Sequence, residues 1–516
     1  MLELTPENRT MMNPYRTAAA HMMTFKAPAK APPAALLLTA LLMALAGCVS
    51  VGPNYKSPRP HVPDGWSVQA DPAIVPDPAQ VRAWWTVFDD PLLTRYIEAA
   101  ARNLDLKAAL ARVQQARAQL GVVTGGRYPL VDAVGEASRS QSSRNVEPGT
   151  PLVTTSRHVL GMDASWEIDL FGRVRRSIEA AAADLQATEE DRMDVMVSLY
   201  AEVARTYLLL RTAQARLAAT EGNIDSQRQV LDLTRSRFRF GLATDLDVAQ
   251  AEDVLANSEA QVPPLRSIIR QSANSLALLL ALHPGSLDEE LKEVKPIPVP
   301  PQQVAVGVPS DLLRQRPDIR RAERALAAET ARIGVATSEL YPRFALLGAL
   351  GLDATDAAKV FASGSTFYSL GPSLRWNVFD AGRIRSQIKV ADARTEETLL
   401  QYEQTVLRAL SEVENAMTAF VEERNRMEAL QRSVSASRRT LELAVDLFKE
   451  GLRDFQSVLD AERTLFDVDN QLAVARGNMA DNLVQLYKAL GGGWSLETAD
   501  RQPEIQNLKD SNHDEE

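Results

Sequence analysis

Only one cysteine, Cys48, occurs in the 516 residues, so the chain cannot close a disulfide on itself. The five histidines, His21, His61, His158, His283 and His513, are dispersed and share no metal-ligand spacing, so neither a metal site nor a cofactor is expected. Phosphate loops, nucleophile elbows and zinc motifs are missing as well, and Gly491-Gly492-Gly493 follows a helix end, where a cap and a turn explain it. Catalysis is therefore not expected. Aromatic residues reach only 6%, beside 28 Pro and 25 Gly, which is unlike two compact enzyme domains. A net charge of −10 argues against nucleic acid as a partner. Proline is absent from Arg173 to Phe240 and from Arg383 to Glu450, two stretches of 68 residues in which nothing breaks a helix. As continuous helices each would be about 100 Å long.

The N-terminus carries an apolar run, Ala34 to Ala46, behind Lys26 and Lys30. It is too short to span a bilayer and has the form of a secretory signal core, so 1–47 is expected to be a signal peptide, with the true start at Met22 or Met23. Leu45-Ala46-Gly47-Cys48 resembles the bacterial lipobox, which makes Cys48 the expected lipidation site and outer-membrane lipid an expected partner.

An internal repeat organises the remainder. Trp166, Gly172, Arg173 and Arg175 recur as Trp376, Gly382, Arg383 and Arg385 at an offset of 210 residues. The same offset pairs Phe238, Gly241, Leu242, Val248, Ala251 and Glu252 with Phe448, Gly451, Leu452, Val458, Ala461 and Glu462. Upstream the offset becomes 213, matching Tyr128-Pro129 to Tyr341-Pro342. Each half reads as helix, two strands, a very long helix, a tight turn and a returning helix.

Apolar residues alternate with polar ones at Leu160, Met162, Ala164, Trp166, Ile168 and Leu170, opposite Asp163, Ser165, Glu167 and Asp169. Four such strands are expected, at about 128–140, 158–170, 342–352 and 367–379. Their length suits a tilted crossing of a bilayer. Four strands cannot close a barrel, and an open edge in lipid leaves backbone groups unsatisfied, so several chains must share one barrel; a trimer would supply twelve strands. Between the strands, the apolar stripe Met193, Met196, Val197, Tyr200, Val203, Ala204, Tyr207 and Leu210 marks helix packing. Pro263-Pro264 is expected to interrupt the first returning helix.

Taken together, Val51-Gly52-Pro53-Asn54-Tyr55, Trp84-Trp85, Asn103-Leu104-Asp105-Leu106, Arg314-Gln315-Arg316-Pro317-Asp318-Ile319 and Ala489-Leu490-Gly491-Gly492-Gly493-Trp494 resemble the TolC-like outer-membrane factors, in their NodT-type lipoprotein branch, over essentially all of 48–494. That resemblance implies a mainly α fold with a small transmembrane β part, assembled as a trimeric 12-stranded β-barrel above a 12-helix α-barrel tunnel. It also implies a passive exit duct of a tripartite efflux pump in the outer membrane of a Gram-negative bacterium, reaching into the periplasm. The expected partners are two further copies of the chain, a periplasmic adaptor and an inner-membrane transporter of the RND type. Expected domains are 48–102 (anchor and N-terminal equatorial segment), 103–283 and 310–494 (the repeats), 284–309 (linker) and 495–516 (disordered tail).

Tip turns are expected at about 238–247 and 448–457, where Gly241 and Gly451 offer the positive φ that ends a helix and a following Asp, such as Asp245, can cap the next one. By position in the family, Asp247, Arg453 and Asp460 are gate-latch candidates, with Ser457 where the family can have a further Asp. Phe448 is likewise a constriction candidate, and Gly241, Leu242, Gly451 and Leu452 form the adaptor-docking tip. Glu462 is expected on an ordinary solvated helix face. Two other readings use the same features: a lipid-anchored periplasmic coiled-coil scaffold without a pore, and the duct of a protein secretion system.

Overall fold

The computed structural model describes residues 50–494 apart from 68–70, 76, 78–81, 144 and 146–150. The expected signal segment, Cys48 and the tail 495–516 lie outside the described residues.

Strand β1 (Ile74–Val75) precedes helix α1 (Pro91–Ala99), which starts on Asp90: its carboxylate accepts from the backbone N–H of Leu92 and Leu93 at 2.9 and 3.0 Å. Asn103 caps α2 (Leu104–Gly125) in the same way. Strands β2 (Leu130–Gln141) and β3 (Thr154–Ile168) follow, then α3 (Arg173–Arg239), a single helix of 67 residues. The return is made by α4 (Asp245–Glu259) and α5 (Val262–Leu279). Their break falls just ahead of Pro263-Pro264, which sit in the first turn of α5, where a missing N–H costs nothing. The second half runs through α6 (Asp288–Leu291), β4 (Val304–Ala305), α7 (Leu312–Gln315), α8 (Pro317–Ser338), β5 (Arg343–Ala354), β6 (Thr366–Arg375), α9 (Arg383–Lys449) and α10 (Phe455–Ala489). Helix α9 again has 67 residues, and its partner α10 returns without a break over 35.

The repeat is thus a structural one. At each strand-to-helix corner a glycine at positive φ, Gly172 (83°) and Gly382 (84°), turns the chain. A carboxylate just before it, Asp169 or Asp380, caps the long helix by accepting backbone N–H bonds from Val174 and Arg175 or from Gly382 and Ile384.

Three apolar clusters hold the helices among the described residues, the smallest joining Ala183 of α3 to Ala327 and Ala328 of α8. The largest joins Trp84, Leu93, Ile97, Tyr207, Leu276, Leu312, Phe420 and Leu483, so the N-terminal segment, both long helices and both returning helices meet in it. Trp84 stacks on Tyr487 at 5.8 Å, and Trp85 meets Tyr200 edge-on at 5.4 Å. The linker is tied into the same cluster, because β1 pairs in parallel with β4 and Ile74 and Val304 are both part of it. A second cluster, with Val230, Leu231, Val254, Phe448, Phe455 and Leu459, lies towards the helix turns and joins the two helical hairpins.

Candidate functional site

Strands β2, β3, β5 and β6 form one antiparallel sheet in that order. Residues paired across an antiparallel ladder share a face. The pairs Leu160–Leu352, Met162–Leu350, Trp166–Leu346 and Ile168–Phe344 therefore build one apolar face, which Val131 and Ala133 extend on one side and Tyr368, Leu370 and Leu374 on the other. In the single chain this face is bare: Tyr368 is 83% and Leu370 75% exposed. The opposite face carries Asp132, Asp163, Glu136 and Glu167, and Arg157 is paired with Asp353 at 2.8 Å. Leu130, Val134, Val159, Leu347 and Phe367 are apolar exceptions on that side. Outer strands β2 and β6 each have one neighbour only among the described residues, so one ladder of backbone groups on each is unpaired there.

Both repeats lock the base of the sheet with an indole. Trp166 donates its ring N–H to the carbonyl of Arg127 at 2.9 Å, and Trp376 donates to that of Leu340 at 3.0 Å. The two donors are 210 residues apart and the two acceptors 213, the same shift that the sequence repeat shows.

At the far end of the long helices both turns have the same backbone. Gly241 (φ 72°) and Gly451 (φ 73°) donate to the carbonyls of Phe238 and Phe448, while Leu242 and Leu452 donate to those of Arg237 and Leu447, in each case at 2.9 to 3.0 Å. Leu242, Leu452, Phe240 and Leu246 project into solvent from these turns, Phe240 with 77% of its surface exposed.

The latch candidates are not joined to one another within the chain. Arg453 is exposed and makes no ion pair or side-chain hydrogen bond among the described residues. Asp460 accepts from Gln456 at 2.9 Å. Asp247 is engaged by its own helix start: its carboxylate accepts from the backbone N–H and hydroxyl of Thr244, which in turn caps Asp247. The cap of α4 is therefore Thr244 rather than the expected Asp245, because Thr244 holds the extended backbone that an N-cap requires. In the second repeat Asp454 caps α10, and the hydrogen bonds from the hydroxyl and backbone of Ser457 hold its carboxyl below the ordinary aspartate range.

Phe448, the constriction candidate, is only 4% exposed within the single chain, with its ring 5.5 Å from that of Phe455. One expectation needs correction. Glu462 is not on a solvated face. It is 4% exposed, its Oε1 has no hydrogen-bond partner among the described residues, and burial pushes its carboxyl up to about 7. Arg237 also escaped the sequence reading: it donates to the carbonyl of Lys449 at 2.9 Å and lies over the Phe448 ring. A repeat comparison carried one residue further would have exposed it, since the position matching Arg237 is Leu447.

The outer membrane efflux protein family model matches residues 96–282 and 308–492, which together make up most of the chain. The chain belongs to this family. Nodulation protein T of Rhizobium leguminosarum bv. trifolii is 32% identical over 457 residues, covering 87% of this chain and 96% of that protein. The solvent efflux pump outer membrane protein SrpC of Pseudomonas putida is 32% identical, over 89% of this chain and 98% of its own. Among solved structures, the outer-membrane channel OprN superposes with a TM-score of 0.81 at 36% identity, covering 86% of this chain and 99% of that one. The mostly helical architecture is accordingly that of TolC-like channels, and the protein is an outer-membrane efflux component, not an enzyme.

Proposed function

We propose that three copies of the chain share one 12-stranded barrel in the outer membrane, continued into the periplasm by a tunnel of 12 helices, and that this assembly is the passive exit duct of a tripartite pump. The observation that carries this reading is the open sheet. An apolar face wide enough to enter lipid is bounded by two unpaired edges, and each unsatisfied backbone group in hydrocarbon costs several kcal/mol, about 2 or more. Pairing β6 of one copy with β2 of the next removes every edge at once. The acidic opposite face then lines water, and the long helices, about 100 Å each, extend below the barrel.

Lipid on Cys48 would anchor each copy beside the barrel. The exposed turns at Leu242 and Leu452 would receive a periplasmic adaptor, and an inner-membrane transporter of the RND type would supply the energy. Asp247, Arg453 and Asp460 would serve as the resting latch, with Arg453 reaching a neighbouring copy, since no carboxylate among the described residues of its own chain pairs with it. The test is mass and conductance together. A trimeric mass in mild detergent with pore conductance in planar bilayers is expected, while a monomer that still conducts, or a trimer that never does, overturns the duct.

A further inference from the structure

The two repeats differ at one buried position in a way that their shared backbone makes plain. In the first repeat Glu252 on α4 pairs with Arg235 on α3 at 2.7 Å, and both side chains are about half exposed. In the second repeat the glutamate is kept as Glu462 on α10, but the position matching Arg235 is Val445. Helix α10 also packs against α3 and α4 as well as α9, which covers the carboxylate that α4 leaves in water. Glu462 is thus buried on a helix whose neighbouring residues Val458, Leu459 and Ala461 belong to the apolar cluster that joins the two hairpins through Val230, Leu231, Ala251 and Val254, and no cation among the described residues pairs with it as one does with its counterpart.

The ionisable groups on the surrounding helices do not replace that cation. On α3, Asp232 is exposed, Arg235 is held by Glu252, and Arg237 is held by the carbonyl of Lys449. On α4, Asp253 pairs with Arg463 of α10 at 3.7 Å. On α9, Arg439, Glu442 and Asp446 are exposed and Arg438 pairs with Asp469. On its own helix, Asp460 is held by Gln456. Burial pushes the Glu462 carboxyl up, to about 7.

We propose that Glu462 is a proton-binding switch in the helical seam: protonated, it lets the second hairpin pack closely on the first near the tip, and ionised, it draws water into the seam and loosens that packing. A carboxyl whose affinity for its proton rises on packing favours the packed state fully only below the ordinary glutamate value of 4.5, and that advantage is lost progressively as pH rises from there to about 7. The change is reversible, needs no ligand, and falls within the range a periplasm experiences. Its consequence for a gate rests on the duct reading above; the switch itself does not.

The experiment therefore uses readouts that need no pore. In the intact trimer, infrared titration should show a protonated-carboxyl band that disappears with a midpoint near neutrality and is missing in Glu462→Gln. Amide hydrogen exchange of α4 and the first half of α10, compared between wild type and Glu462→Gln at the same pH, should agree at about pH 4 and differ at least about tenfold at about pH 8.5, with wild type faster. Val445→Arg should restore the ion pair and remove the difference at alkaline pH. No band assignable to Glu462, or equal exchange at both pH values, overturns the proposal. If band and exchange behave as expected while conductance stays constant with pH, the switch stands and the gate reading fails.

Discussion

The guanidinium of Arg237 lies 4.7 Å above the ring of Phe448 and donates to the carbonyl of Lys449, so the last turn of the first long helix is fastened to the last turn of the second. This contact joins two residues 211 positions apart at the point where both helices end. A partly exposed cation over an aromatic face contributes about 0.5 to 2 kcal/mol, and a hydrogen bond a similar amount. Arg237→Ala should leave the trimer assembled but speed proteolysis of the two turns several-fold. Arg237→Lys should recover only part of the loss, because an ammonium cannot both stack flat and reach the carbonyl.

A latch must hold long helices together and yet yield to a partner. Water-exposed ion pairs meet that need, each contributing about 0.2 to 1 kcal/mol and weakening with salt. Arg453 and Asp460 do not pair within one chain, so any latch between them runs across subunits and would be repeated by symmetry. Arg453→Ser combined with Asp460→Ala should raise single-channel conductance at low salt, and high salt should narrow the gap to wild type. Unchanged conductance would leave both residues as docking groups only.

The long helices were legible because proline is missing for two whole stretches and because the 210-residue offset aligns their ends; the structure moves those ends by a single residue, to Arg239 and Lys449. The strands were legible from alternation, with small shifts: β6 stops at Arg375, leaving Trp376 as the indole that reaches back to Leu340. What the sequence could not convey was which helix faces are covered by a third neighbour. Glu252 and Glu462 occupy matching positions, and only the packing of α10 against the first hairpin separates an exposed ion pair from a buried acid.

Arg176 is 3% exposed and donates to the carbonyls of Val51 and Gly52 and to the Asn54 side chain, pinning the strap that begins the described chain onto α3. Gly334 of α8 lies beneath it, and a Cβ there would come within 2.8 Å of the arginine side chain. Arg176→Ala leaves two carbonyls unpaired, at about 1 to 3 kcal/mol each where they are covered. Both Arg176→Ala and Gly334→Val should expose 50–55 to protease while α3 and α8 stay protected.

Cys48 is the only residue that can take a thioether-linked lipid, so Cys48→Ser should abolish labelling by a radioactive or clickable fatty acid and leave an unprocessed or displaced product. Label that persists in the variant would place the modification elsewhere and remove the proposed anchor.

The chain's six tryptophans permit a direct test of which face meets lipid. Trp66 and Trp84 are buried, and Trp85 and Trp494 pack against the same apolar cluster beside the linker. Trp166 and Trp376 stand apart, on the sheet near its base, each with its N–H held by a turn carbonyl and its ring on or beside the apolar face. Tryptophan concentrates where hydrocarbon meets water, since the ring is apolar and the N–H needs a partner. In vesicles of brominated lipid, part of the indole fluorescence of the reconstituted protein should be quenched, with the bromines nearest the headgroups most effective. Trp166→Phe with Trp376→Phe should remove that quenched component and leave the fluorescence of the other four rings intact. The substitution keeps an apolar ring on the sheet but frees the carbonyls of Arg127 and Leu340, so thermal stability should fall by about 0.5 to 1.5 kcal/mol per site. Should lipid quenching persist in the double variant, the apolar face of this sheet would not be the surface that faces the membrane.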